Sequence, residues 1–224
     1  SSTVSANTTA GFSIVTFTGN ETVDSTVGHG LGAIPKMIIV KGTSFSAPWI
    51  VYHHSIGNSN YLRLNTTDAE ATANGMWSNT TPTNSVFTLG TDSWGNNNGQ
   101  SLIAYCFAEK QGYSKFGSYK GNGNANGAFV YTGFSPAFFM LKRTDGTNSW
   151  RMWDNKRDPF NVRDTSINAN ENDAEYTDAS VYMDFVSNGV KFRTTGDNVS
   201  GGNYIYMAFA EAPLVGTNGV TAKA

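Results

Sequence analysis

Carboxylates, histidines and tryptophans are the side chains whose types and spacing could do chemistry in this chain. Glycan cleavage needs two carboxyl groups facing each other across a cleft. Glu109 and Glu211 each end a Phe-Ala-Glu segment, 102 residues apart. Carboxylates matched in this way in tandem units sit in separate but equivalent settings, so they read as lattice contacts rather than an acid pair. Asp145, Asp154, Asp158, Asp164, Asp173 and Asp178 cluster later in the chain. None has the D-x-D-x-D-G spacing of a calcium loop, so the oxygen-rich stretch 170–178 is expected to take calcium only adventitiously, and no cofactor is expected. His53 and His54 are adjacent. On a strand, neighbours face opposite sides, which sets the pair against shared metal ligation. His29 lies in a glycine-punctuated turn with no G-x-S-x-G partner motif. No catalytic or metal-binding residue is therefore assigned, and the expectation is a protein without enzymatic activity.

Five tryptophans remain. Trp49 and Trp150 coincide under a shift of 101 residues and read as core. Trp77, in N-G-M-W-S-N-T-T-P, and Trp94, in T-D-S-W-G-N-N-N-G, lie in loops of Asn, Ser, Thr and Gly. Sugar recognition uses a flat apolar face for the pyranose ring and neutral hydrogen-bonding groups for its hydroxyls. Trp77 and Trp94, with Asn79, Asn96 and Asn97, are the expected glycan-binding residues. The competing reading tucks each tryptophan into a local cluster or a subunit contact.

The elements that must carry these residues follow from composition. Charged residues make up 14% of the 224, against 39% apolar. The apolar fraction supports one large core or two modest ones, and the polar surface must be Asn, Thr, Ser and Gly. Those residues favour turns and disfavour helix interiors. Net charge is −2 with no run of Lys or Arg, so nucleic-acid binding is not expected. No stretch reaches the roughly 20 apolar residues of a membrane-spanning helix, and membrane insertion is not expected. The single cysteine, Cys106, sits in an apolar run and reads as a buried small hydrophobe.

The chain repeats itself. Gly19-Asn20 recurs as Gly121-Asn122, I-P-K-M-I-I-V-K (34–41) as S-P-A-F-F-M-L-K (135–142), and Y-C-F-A-E as Y-M-A-F-A-E. Offsets stay between 101 and 102 residues, a domain-sized period. Boundaries are expected at 1–11 for a lead-in or edge strand, 12–110 and 113–215 for two repeats, and 216–224 for a C-terminal tail. Short alternating runs at regular spacing predict an all-β fold: two homologous antiparallel β-sandwich units, jelly-roll-like, packed together. One weak helical segment is predicted over 68–76.

The motifs G-L-G-A-I-P-K-M-I-I-V-K with W-x-V-Y-H, A-Y-C-F-A-E-x-x-G-Y-S-K-F-G-S-Y-x-G-N-G, V-Y-T-G-F-x-P-A-F-x-M-L-K-R-T and Y-I-Y-M-A-F-A-E-A-P resemble a tandem-repeat β domain of virion structural and tail proteins. Its bearers are tailed bacteriophages, especially marine and cyanobacterial ones. The resemblance spans roughly 11–215. It implies a virion location at the particle exterior, as tail fibre, tail appendage or capsid decoration. The partners it implies are other virion proteins, further copies of the chain and host-surface glycans. Adhesion through many weak contacts raised by copy number is the expected mechanism. A purely assembling lattice protein and a polysaccharide-depolymerising enzyme stand as alternatives.

Overall fold

The structure is a computed structural model and describes residues 2–211; the expected tail at 216–224 lies outside them. Strands take up 45% of residues and helices 4%, so the chain is all-β. It divides into two units between Glu109 and Lys110. Among the described residues no helix is long and apolar enough to cross a membrane.

The first unit contains β1 (Ser2–Asn7), β2 (Phe12–Thr18), β3 (Ser25–Gly28), β4 (Pro35–Gly42), β5 (Ile50–His53), β6 (Asn60–Arg63), β7 (Ala71–Thr72), β8 (Val86–Leu89) and β9 (Ser101–Ala108). Two one-turn helices, α1 (Asn74–Trp77) and α2 (Ser93–Asn96), join them. The large sheet runs β1-β2-β9-β4-β5-β6-β7 and the small one β3-β8, all antiparallel. Period-two alternation places Val15, Phe17, Ile38, Val40, Ile50, Tyr52, Leu102, Ala104 and Cys106 on one face of the large sheet. Val27, Phe87 and Leu89 of the small sheet, with Met76 and Trp77 of α1, close that face into a core. This is a β-sandwich held by apolar burial.

The second unit contains β10 (Ser114–Lys120), β11 (Phe129–Tyr131), β12 (Pro136–Arg143), β13 (Arg151–Asp154), β14 (Thr165–Asn168), β15 (Tyr176–Thr177), β16 (Met183–Val186), β17 (Gly189–Phe192) and β18 (Asn203–Ala210). Its large sheet runs β10-β18-β12-β13-β14-β15 and its small one β11-β17-β16. Strand for strand, the large sheet has the order of the first unit from β2 to β7. Phe139, Leu141, Trp153, Tyr204, Tyr206 and Ala208 face Val130, Met183, Phe185, Val190 and Phe192 in a second core. Two differences stand out: β16 is an extra strand, and no described strand pairs with β10 as β1 pairs with β2.

Matched residues explain the repeat in physical terms. Lys41 and Lys142 each donate an ammonium hydrogen bond to a backbone carbonyl six residues on, Ala47 O at 2.7 Å and Asn148 O at 2.5 Å. Asn65 Oδ1 accepts from Trp49 N at 2.9 Å, and Asn170 Oδ1 from Trp150 N at 2.7 Å. Trp150 is buried, whereas Trp49 is half-buried and stacked on Tyr105.

Candidate functional site

The residues expected to bind glycans do not form one exposed surface. Trp77 is 1% exposed and meets Tyr52 edge-on within the first core. It follows Met76 in α1, and both side chains are buried in the first core. The expectation of an exposed Trp77 is therefore corrected: its loop is polar, but the Met-Trp pair inside it is core. Trp94 is half-buried, edge-on to Tyr61, with the Arg63 guanidinium 5.9 Å above its ring. Arg63 is also paired with Asp68 at 2.9 Å. Asn79 is exposed at positive φ, and its carbonyl accepts from Asn58. Asn97 is half-exposed at the end of α2.

Asn96 is 2% exposed, and its amide is taken up by the protein's own groups. Its Oδ1 accepts from Asn20 N at 3.0 Å, while Nδ2 donates to Gly90 O, Asn20 Oδ1 and Thr22 O. The second unit has the same bracket. Asn198 Oδ1 accepts from Asn122 N at 2.9 Å, and Nδ2 donates to Asn122 Oδ1 at 2.6 Å and Asn124 O at 2.9 Å. Both brackets span 76 residues. The preceding glycines complete the motif: a Cβ on Gly19 would lie 2.2 Å from Asn97 O, and one on Gly121 2.1 Å from Val199 O. So Asn96 is a structural clamp that satisfies buried backbone groups. Its signal in the sequence is the identical 102-residue offset of Asn20 to Asn122 and Asn96 to Asn198.

The histidines are likewise structural. His29 is fully buried; its Nδ1 accepts from Leu31 N, its Nε2 donates to Thr83 O, and burial pushes its pKa below the usual value. His53 is buried at the end of β5, where its Nδ1 accepts from Ser55 N. Cys106 is buried, and burial pushes its thiol up to about 12, well away from nucleophilic reactivity. Glu211 is exposed and paired with Lys156, which holds its carboxyl low. In 170–178, Glu171 accepts from Ser149, Asn168 and Asn170, Glu175 pairs with Arg157, and Asp178 accepts from Ser180. Among the described residues no group of three or more His, Cys, Asp or Glu is placed to hold a metal ion.

Two surface features remain with binding character. One is a groove of about 160 Å³ in the first unit, lined by Ser2, Phe17, Thr18, Asn20, Ser25, Thr26, Val27 and Asn96. The other is an aromatic ledge on β11. Phe129 and Tyr131 are 49% and 61% exposed and, two residues apart, project from the same side of the strand, while Val130 between them enters the core. A Cβ on Gly189, in the neighbouring strand, would lie 3.0 Å from the Phe129 ring, and one on Gly133 3.5 Å from the Tyr131 hydroxyl. Each ring thus has a glycine beside it and keeps about half or more of its surface in solvent. Beyond them the sheet carries Lys191, whose ammonium caps Gly127 O, and the Asp184–Arg193 pair. In the sequence F-V-Y reads equally well as a buried strand, so the ledge shows only in the fold.

The second unit also buries an ion pair in its core. Arg151 occupies a core-facing position of β13 and meets Asp197 at 2.6 Å. Asn148 donates to the other carboxylate oxygen at 2.9 Å. The Asp197 side chain is 2% exposed.

Comparison with protein families matches residues 1–213 to the family described as "Domain of unknown function (DUF7483)". The chain belongs to that family. No curated protein and no solved structure matches it.

Proposed function

We propose that this member of the family is a virion structural protein of a bacteriophage, displayed on the particle exterior, that adheres to host-surface glycan through the β11 ledge. The resemblance of its motifs to phage tail and structural domains supports the virion placement. The observation that carries the adhesive reading is the pair of solvent-exposed rings on one side of β11, Phe129 and Tyr131, each beside a glycine. Half-exposed aromatic rings suit the apolar face of a pyranose, and the neighbouring Lys191 and Asp184–Arg193 groups supply hydrogen-bond donors and acceptors for hydroxyls. A single ledge is a weak site, so attachment comes from many copies on one particle. The protein acts by holding, without turnover.

The test is binding of the 224-residue protein to an array of bacterial envelope oligosaccharides, followed by titration of the best hit. Tyr131→Ala is expected to weaken that hit about tenfold, in line with loss of one aromatic stacking contact. Trp77→Phe is expected to leave it unchanged. Binding that ignores Tyr131→Ala and Phe129→Ala would overturn the ledge, and release of reducing ends from the polysaccharide would favour the depolymerising enzyme. Absence of the chain from purified particles of the phage that encodes it would overturn the virion placement.

A further inference from the structure

Sheet edges in this protein are managed unequally. An edge strand presents a row of unpaired backbone groups, and proteins blunt such edges by shortness, by lysine, or by cover. The two large sheets have four edges. β7 and β15 are two residues each. β10 carries Lys115 and Lys120. β1 is six residues, Ser-Thr-Val-Ser-Ala-Asn, without charge or proline, and every one of them is exposed. It has neither shortness nor lysine, and the one neighbour at its outer residues, the turn at Gly30, touches the Val4 and Ala6 side chains and leaves their outward backbone groups without a sheet partner among the described residues.

The register identifies which of its groups face outward. Gly11 O accepts from Ala108 N and Gly19 N donates to Gln100 O, so odd-numbered residues of β2 turn their backbone toward β9. The even ones turn toward β1, where Phe12, Ile14 and Thr16 oppose Asn7, Ser5 and Thr3. Asn7, Ser5 and Thr3 are therefore the inward residues of β1. Ser2, Val4 and Ala6 point the other way, offering three N–H and three C=O groups with no sheet partner among the described residues.

We infer that β1 is a self-association surface: two copies of the chain pair antiparallel through it about a two-fold axis at Val4. In that register Val4 faces its own copy and Ser2 faces Ala6 on both sides of the axis. All six outward groups of each strand are then satisfied, since hydrogen-bonded pairs recur at every second residue. An isologous contact sets each residue near its own equivalent, so any charge there would repel itself. β1 has none, which is the feature that selects a second copy as the occupant. The first-unit large sheets of the two copies become one sheet continuous across the dimer. The inference is independent of the glycan reading.

Sedimentation equilibrium of the full 224-residue protein over a concentration series tests it, beside two variants. Val4→Pro removes an outward N–H while leaving the inward bonds of Thr3, Ser5 and Asn7 in place. Val4→Lys sets two ammonium groups against each other at the axis. The wild type is expected to show a monomer–dimer equilibrium. Both variants should weaken it by at least about tenfold, with melting temperature and far-ultraviolet dichroism retained and with the lysine variant partly restored by salt. Val4→Cys supplies a positive readout: directly opposed Cα atoms lie about 5.5 Å apart, within the range a disulfide spans, so mild oxidation should yield a covalent dimer. A protein that stays monomeric throughout, a dimer indifferent to both variants, or a dimer abolished instead by Ser118→Pro in β10 would each overturn the inference. Sugar binding and mass are read separately, so failure of one proposal leaves the other standing.

Discussion

Replacing Asn198 by alanine removes three hydrogen bonds at once: one accepted from Asn122 N, and two donated, to Asn122 Oδ1 and Asn124 O. A net intramolecular hydrogen bond is worth about 0.5–1.5 kcal/mol, so the gross loss is about 1.5–4.5 kcal/mol. Asn122 and Asn124 are exposed, so water takes over part of what they lose and the lower half of that range applies. A cost of about 2 kcal/mol should lower the melting temperature of a unit this size by about 10 °C. Asn198→Asp is the sharper probe, since it keeps the accepting oxygen but turns the donor into a second acceptor facing two oxygens. The buried carboxyl introduced there keeps its proton above the usual pKa of about 3.9. Its folded state binds a proton more tightly than its unfolded state. The second unit should thus hold its stability on the acid side of that value and lose it as pH rises through the folded pKa. Differential scanning calorimetry of wild type and both variants at acidic and neutral pH reads this out. A shift below about 2 °C for the alanine variant, on the scale of a few degrees per kcal/mol, would refute the clamp. So would an aspartate variant whose deficit is the same at both pH values.

Arg151→Met should cost about 3–5 kcal/mol, because it strands the Asp197 carboxylate in the core with Asn148 as its remaining side-chain donor. Adding Asp197→Asn should recover much of that loss, and urea titration of the four-member cycle measures the coupling. For His29, burial lowers the folded pKa, so the unfolded chain binds the proton more tightly. Stability from this residue is complete above about pH 6.5 and falls as pH drops through that value toward the folded pKa. Melting of the first unit between pH 7 and pH 5 should show the loss, and His29→Asn should flatten it.

Strand positions are largely legible where β-branched and aromatic residues alternate: the I-P-K-M-I-I-V-K run falls in β4, and Y-C-F-A-E and Y-M-A-F-A-E close β9 and β18, to within a residue at the matching ends. Less visible were strands whose residues are small or polar. β14, Thr-Ser-Ile-Asn, and β3, Ser-Thr-Val-Gly, carry little strand signal of their own, because their ladder bonds come from neighbours rather than from intrinsic preference. The helix expected over 68–76 shrinks to α1 at Asn74–Trp77, preceded by the short β7. Composition misled most at Trp77 and Asn96. Both sit in Asn- and Thr-rich loops that suggest solvent, yet one fills the core and the other satisfies buried backbone. For Asn96 the repeat offset is the better guide, since position 96 has its counterpart at 198; for Trp77, which has no counterpart and is core, the offset carries no signal.

The Asn198 clamp has a consequence for how this protein can be produced. Asn198-Val-Ser is an acceptor for N-linked sugar, and the amide nitrogen that would carry the sugar is the one that donates to Asn122 and Asn124. In a secretory pathway the chain is modified as it emerges, before the clamp closes. A bulky glycan there would hold the loop open and keep the second unit from maturing, while a bacterial cytoplasm, lacking that machinery, imposes no such block.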